Sequence, residues 1–360
     1  KMALLGVDAD HEAMTGEDIL KRLTTGYHVT LRYSSIRPDL PKLMEELLQL
    51  NITAYDQLMF TTDGSTPAFS EQGLINRCIE IALEKGVPNV EAYRMATFNV
   101  AKYLSLDELI GSIAPGRLAH INVLYDKNDP TPLSVLAKGR WILKEGEEIE
   151  QQERIDWEKL GITKANYSFN ITDDDLQFSI PIGMKMENDV IMKPYAVNID
   201  ITADHLPQGT EEAFLLLLDR NGKWRVNSVI HGFTSHLGAL CSTYSTTDDI
   251  ILIGKNKSDM VVAYERMKEI GGGIVLAHDG KVIFELPLTL HGAMYAGTMK
   301  QLIEKEKRLV KILEEAGYSF NDPIYTLLFL SSTHLPYIRI TQQGLVDVMK
   351  KEVIVPANMR

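Results

Sequence analysis

An imidazole, His11, and a carboxylate, Asp63, each fall at the end of a strand-like run. His11 closes Asp8-Ala9-Asp10-His11-Glu12, and Asp63 follows Leu58-Met59-Phe60-Thr61-Thr62. Barrels built of βα units hold their reactive groups at the C-terminal ends of strands. The 52 residues between His11 and Asp63 make two such units of ordinary length, so both side chains could reach one rim. Imidazole and carboxylate are donors that a divalent cation takes at neutral pH. A bound cation lowers the pKa of its water to about 7, and a nearby Asp can carry the proton during attack on an sp² carbon. Spacing alone leaves plainer readings open. His11 also fits a hydrogen-bonded structural residue, and Asp63-Gly64-Ser65-Thr66 also fits a turn or helix cap.

The elements that would position these groups alternate strand and helix over the first hundred residues. Leu4 to Ala9 is a short apolar run. Thr15, with Asp18 three residues on, fits a loose capping box. Tyr27 to Leu31 is β-rich. Leu40, Leu43, Met44, Leu47 and Leu48 have helical spacing within 38–50. Glu71 to Lys85 and Val90 to Tyr103 read as helices, separated by Gly86-Val87-Pro88. Such alternation implies a parallel sheet or barrel. Only three units are present, and a full (β/α)8 barrel takes eight and about 250 residues.

The pattern then changes. Ile121 to Tyr125, Ser134 to Ala137 and Lys138 to Leu143 read as a small β layer, and residues 147–190 as a linker with one or two strands. From about Val197 a separate α/β region begins. Arg220-Asn221-Gly222 and Asp279-Gly280 mark hairpins. Ser258 would cap a helix to Ile270 that Gly271 ends. Lys300 to Ala316 is a long amphipathic helix.

Composition sets bounds. The 360 residues suggest two or three domains. A formal net charge of −12 disfavours nucleic acid and anionic membranes, which need basic surfaces. No run of about 18 apolar residues is present to span a bilayer. Cys78 and Cys241 lack CxxC spacing and read as reduced thiols of a cytosolic protein. The opening, Lys1 to Val7, reads as mid-strand, so the chain is expected to be part of a longer protein. His231 and His236 lack a third donor nearby. Gly271-Gly272-Gly273 lacks phosphate-loop spacing. The His-x-Glu and Pro-Cys-x-x-Cys motifs of zinc nucleobase deaminases do not occur.

Several segments together resemble bacterial adenine deaminases of the metal-dependent amidohydrolase superfamily. Leu5 to Glu12 is similar to that family's Asp-His-Glu strand end, and Phe60-Thr61-Thr62-Asp63-Gly64 to its Thr-Asp-Asp segment. Ala92 to Ala101 and Gly111 to Ala119 are similar to the signatures that follow the barrel. Ser258-Asp259-Met260, Gly271-Gly272-Gly273 and Leu328-Phe329-Leu330 fit the C-terminal adenine deaminase domain.

The resemblance implies an α/β fold in three parts. Residues 1–108 would be the last βα units of an amidohydrolase (β/α)8 barrel, 109–190 a β-sandwich segment and linker, and 191–360 the C-terminal α/β domain. It implies His11 and Asp63 as metal ligands, Asp63 also as catalytic proton shuttle, and Arg32 as a substrate contact. The implied reaction is metal-dependent hydrolytic deamination of adenine to hypoxanthine and ammonia in purine salvage. The alternatives are hydrolysis of another cyclic amide or amidine, or a catalytically inactive relative. The implied cofactor is a binuclear divalent metal centre, manganese or iron, with zinc as an alternative. The implied setting is a cytoplasmic homo-oligomer acting on a small purine or cyclic amide, with no nucleic acid or membrane partner. Three departures bear on substrate: Gly64 replaces the family's second aspartate, Arg32-Tyr33-Ser34-Ser35 replaces Arg-Glu-Gly-Ser, and Tyr244 to Asp248 replaces a His-Asp-x-His-Asn loop. The family's strand-one His-x-His, strand-four Glu and strand-five His have no counterpart in this sequence. The 360 residues alone are therefore expected to be inactive and to associate through exposed sheet edges.

Overall fold

The computed structural model describes residues 2–149 and 155–360. They form two compact units that divide between residues 154 and 155.

The first unit opens with three parallel strands, β1 (Ala9–Asp10), β2 (His28–Arg32) and β3 (Leu58–Thr61), in that spatial order. The register pairs Asp10 with Val29 and Arg32 with Thr61, so the ends of β2 and β3 are level and β1 stops three residues lower, with all three C-terminal ends on the same side. Helix α1 (Gly16–Thr24) joins β1 to β2, and α2 (Leu40–Gln49) joins β2 to β3. Thr15 caps α1 as its spacing predicts, accepting from the Asp18 N–H at 3.1 Å. Ile19 of α1, Leu43 and Met44 of α2, and Val29, Leu31 and Leu58 of the strands are sealed in one core. Helices α3 (Ile75–Glu84), α4 (Asn89–Ala96) and α5 (Phe98–Tyr103) follow.

Three local readings are corrected. The expected strand over 4–9 forms only at Ala9–Asp10, because only there does β2 supply ladder partners; Ala3–Leu5 is a 3-10 turn and Leu4 is exposed. The helix expected from Glu71 starts at Ile75, since Gly73 adopts φ +116°. The helix expected over 90–103 breaks at Thr97, whose hydroxyl donates to the Tyr93 carbonyl at 2.8 Å and whose backbone leaves helical geometry (φ −132°, ψ −85°).

Asn99 and Gly111 fix the segment that follows β3. The buried Asn99 amide donates to the carbonyls of Tyr55 (2.7 Å) and Leu58 (2.9 Å), pinning α5 to the start of β3. A Cβ at Gly111, already at φ +91°, would stand 2.5 Å from the Ala101 Cβ. The unit ends in an antiparallel sheet of β4 (Ile121–Leu124), β5 (Pro132–Ala137), β6 (Arg140–Lys144) and β7 (Glu147–Glu148).

The second unit takes in residues 155–190, which sequence pattern assigned to a preceding segment and linker. Its nine-stranded sheet begins with β8 (Ile182–Met186) and β9 (Met192–Ala196), continues through the hairpin β10 (Glu212–Leu218) and β11 (Trp224–His231), and adds β12 (Ala239–Ser242) and β13 (Ile250–Gly254). Helix α6 (Lys257–Ile270) leads to the second hairpin, β14 (Gly273–His278) and β15 (Lys281–Pro287), and the C-terminal Asn358–Met359, paired with β11, is the ninth strand. The cap of α6 is Asn256 rather than Ser258: its carboxamide oxygen accepts from the Ser258 N–H at 2.9 Å. Helices α7 (Met299–Glu315) and α8 (Pro323–Phe329) and a three-stranded sheet over 338–356 follow. Strand side chains alternate between faces. Accordingly Leu215 and Leu217 enter one core with Leu309 and Leu313 of α7, while Phe214, Leu216 and Leu218 enter another with Met260 and Met267 of α6. A sheet covered on both faces explains the near-continuous apolar run in β10. Cys78 and Cys241 are both free and buried, and burial pushes the Cys78 thiol up to about 12.

Candidate active site

The first unit gathers its charged groups at the C-terminal ends of the three parallel strands. His11 and Glu12 follow β1, Arg32 ends β2, and Asp63 stands two residues beyond β3. Asp10, the last residue of β1, stands apart from the cluster and pairs with Arg22 of α1. Asp63 is held by a tight turn: its φ is +48°, its N–H donates to the Thr61 hydroxyl at 3.0 Å, and Gly64 follows at φ +67°. Aspartate is among the few side chains that enter this left-handed region readily.

Arg32 is the hub. It is almost fully buried, and its Nη1 donates to Asp63 Oδ2 at 2.6 Å and to Glu12 Oε1 at 3.1 Å. Nη2 donates to Glu12 Oε2 at 3.1 Å, so Glu12 is gripped by both terminal nitrogens. Burial alone would lower the guanidinium's proton affinity, but the hydrogen bonds to Asp63 and Glu12 hold it above its ordinary value. Arg37 adds a second clamp, donating to Glu12 Oε2 at 2.8 Å and, through Nε, to Asp39 at 2.8 Å. The other Asp63 oxygen, Oδ1, faces His11 Nε2 at 3.8 Å, and His11 Nε2 stands 3.3 Å from Glu12 Oε1.

The structure brings His11 and Asp63 together, as the two-unit spacing allows, and places Arg32 beside them. It also shows Glu12 and Arg37, which sequence reasoning left out. Glu12 stood inside the Asp-His-Glu run, but only tertiary contact reveals its two arginine partners. Arg32, which the resemblance implies as a substrate contact, is turned onto its neighbours' carboxylates.

His11 and Asp63 offer one imidazole and one carboxylate, two of the donors that a divalent cation takes. Ligand distances of ~2.0–2.1 Å in a tetrahedral shell put neighbouring donors ~3.4 Å apart, close to the 3.8 Å seen here. Both side chains are open to solvent. The fit is partial, because among the described residues no group of three or more His, Cys, Asp or Glu could hold a metal ion. His231 pairs with Glu211 at 3.2 Å and belongs to no such group. In the second unit, the segment Tyr244 to Asp248 follows β12 and is tied inward, with the Ser245 hydroxyl donating to the Asp249 carbonyl at 2.9 Å. Among the described residues no helix is long and apolar enough to cross a membrane.

Comparison with known proteins agrees with this architecture. Residues 11–142 match the amidohydrolase family, and residues 189–352 match the adenine deaminase C-terminal domain. Between them the two matches cover most of the chain, which is therefore similar to amidohydrolases that carry this C-terminal domain. Over all 360 residues it is 53% identical to a protein of Oceanobacillus iheyensis and 51% identical to one of Bacillus subtilis, both bearing the name "Putative adenine deaminase". A protein of Halalkalibacterium halodurans with the same name is 48% identical. The chain spans 62% of the length of each of these relatives.

Proposed function

We propose that this chain supplies the last strands of an eight-stranded barrel whose rim hydrolyses adenine to hypoxanthine and ammonia. The observation that carries this reading is the convergence of His11 Nε2 and Asp63 Oδ1, 3.8 Å apart, beyond the C-terminal ends of parallel strands. The relatives' names point to adenine as substrate and the matched family to metal-assisted chemistry. Manganese or iron suits an imidazole and carboxylate set, and His11 and Asp63 would hold it with donors the described residues do not provide. When bound, such a cation supplies the charge that makes water acidic enough to act near neutral pH.

The chain's own groups account for the proton. Asp63 accepts it from the water that adds to C6 of adenine and delivers it to the departing amine. One C–O bond forms, one C–N bond breaks, and adenine plus water become hypoxanthine plus ammonia. Positioned carboxylates contribute typically 10²–10⁴-fold in this role. The loop Tyr244 to Asp248 carries no imidazole, so this chain offers none there for substrate. Two free thiols suit a reducing cytoplasm. Solvent-facing Leu4, Val90 and Ile113 suit burial against further protein, which we read as a homo-oligomer.

Ammonia release by the full-length, manganese-loaded protein tests the proposal, with adenine and a panel of cyclic amides as substrates. Turnover of adenine that Asp63→Asn abolishes is the expected result. Turnover of a cyclic amide alone moves the substrate; no turnover of any substrate removes the reaction.

A further inference from the structure

The burial pattern around Arg32 inverts what a substrate contact needs. Its side chain is only 5% exposed, whereas Glu12 and Asp63 are 54% and 32% exposed. A substrate could reach the guanidinium only by displacing one of those carboxylates. Both terminal nitrogens are already engaged, and Nε is sealed from solvent without a partner.

The same bonds do something else. A carboxylate's terminal torsion is broad and roughly two-fold, so an unassisted Asp63 would present either oxygen in many orientations. Arg32 Nη1 takes Oδ2 at 2.6 Å and thereby turns Oδ1 towards His11. Glu12 holds the guanidinium plane through two 3.1 Å bonds, and Arg37 holds Glu12 from its other side at 2.8 Å. Asp39 in turn anchors Arg37. The chain of contacts runs Asp39, Arg37, Glu12, Arg32, Asp63.

We propose that Arg32 is a positioning residue, not a substrate contact: backed by Glu12 and Arg37, it fixes one Asp63 oxygen so that the other is presented beside His11 to a divalent cation. The inference rests on the metal-site reading above but needs no particular substrate. Groups of this kind, one bond behind a ligand, typically govern 10–100-fold in metal affinity or activity.

The test measures manganese affinity by competition, together with kcat and KM, in full-length wild type, Arg32→Gln, Arg32→Lys and Glu12→Gln. Arg32→Gln should weaken manganese binding about 10–100-fold. Its kcat should fall while KM stays within about threefold of wild type, since no ground-state contact to substrate is removed. Arg32→Lys should recover only part of the affinity, because an ammonium cannot bridge two carboxylates in a plane. Should Arg32→Gln fail to fold, Glu12→Gln decides: it keeps the cation and should weaken manganese binding in the same direction. A tenfold rise in KM for Arg32→Gln with manganese affinity unchanged would overturn the proposal in favour of direct substrate contact. Wild-type affinity in Glu12→Gln and Arg32→Gln alike would overturn it outright. Wild type that binds manganese through His11 and Asp63 yet leaves adenine untouched would end only the substrate reading.

Discussion

Two arginine–carboxylate clusters, one in each unit, are inside-out versions of one another. At the strand ends of the first unit the arginine is sealed and the acids are open: Arg32 is 5% exposed against 54% for Glu12 and 32% for Asp63. In the second unit the acid is sealed. Asp175 is 1% exposed, held by Arg360 through Nε and Nη2 at 2.7 Å each and by Arg225 at 3.2 Å, with those arginines 13% and 17% exposed. The same ion chemistry gives different capabilities. A buried carboxylate with every oxygen engaged can only tie distant segments together, here a 3-10 turn over 173–176 to residues 225 and 360. An open carboxylate on a buried guanidinium keeps one oxygen free for a cation or a proton.

The sharpest way to break the contrast is Asp63→Asn. Ammonia release should fall ~10²–10⁴-fold, while thermal unfolding shifts by no more than about 1–2 kcal/mol, since Glu12 still holds Arg32. Loss of folding comparable to that of an Asp175 variant would make the rim cluster merely structural. Next in size is Asp175→Ala. It strands two partly buried guanidiniums and should cost about 3 kcal/mol in denaturant unfolding, with turnover per folded molecule unchanged.

A pH series sharpens the comparison further. Burial alone would raise the Asp175 carboxyl, but hydrogen bonds from Arg360 and Thr172 hold it below its ordinary value. Its stabilisation is therefore present above the unfolded-state pKa of about 3.9 and is lost as pH falls through the lower folded value. Asp249, buried near Asp219 without an arginine clamp, goes the other way: burial first, then the neighbouring acids, push it up to about 6. A raised acid favours folding only while protonated, so it costs stability as pH rises from about 4 to about 6. Asp249→Asn should accordingly stabilise the protein at pH 8, on the order of 2 kcal/mol, and change little at pH 4. An unchanged midpoint at pH 8 would show that Asp249 is better solvated than its burial implies. The smallest effect is at Gly64. Gly64→Ala places a side chain at φ +67° and should cost ~1–2 kcal/mol, read as a modest drop in unfolding temperature.

Local pattern made much of the first unit legible. The strand at 28–32, the helix over 40–49 and the Thr15 cap follow from spacing and side-chain chemistry, and the hairpin at Arg220-Asn221-Gly222 from its turn residues. His11 and Asp63 were legible because strand ends in parallel βα units share one rim. What pattern hid is long-range. The parallel pairing of β8 with β11 joins Met184 to Ile230 with no periodic signal between them. Arg360 and Asp175 lie 185 residues apart, and nothing in either neighbourhood announces the other. Glu12 looked like one more polar residue after a strand until Arg32 and Arg37 closed on it. The break at Thr97 was hidden because a single hydroxyl bond decides it.

Manganese binding to the full-length protein, followed by metal analysis and competition titration, bears most directly on the role of the rim. Stoichiometric metal in wild type that falls sharply in both His11→Asn and Asp63→Asn, with folding retained, is the predicted result. Unchanged affinity in the two variants would contradict it and return both residues to a turn and a strand end.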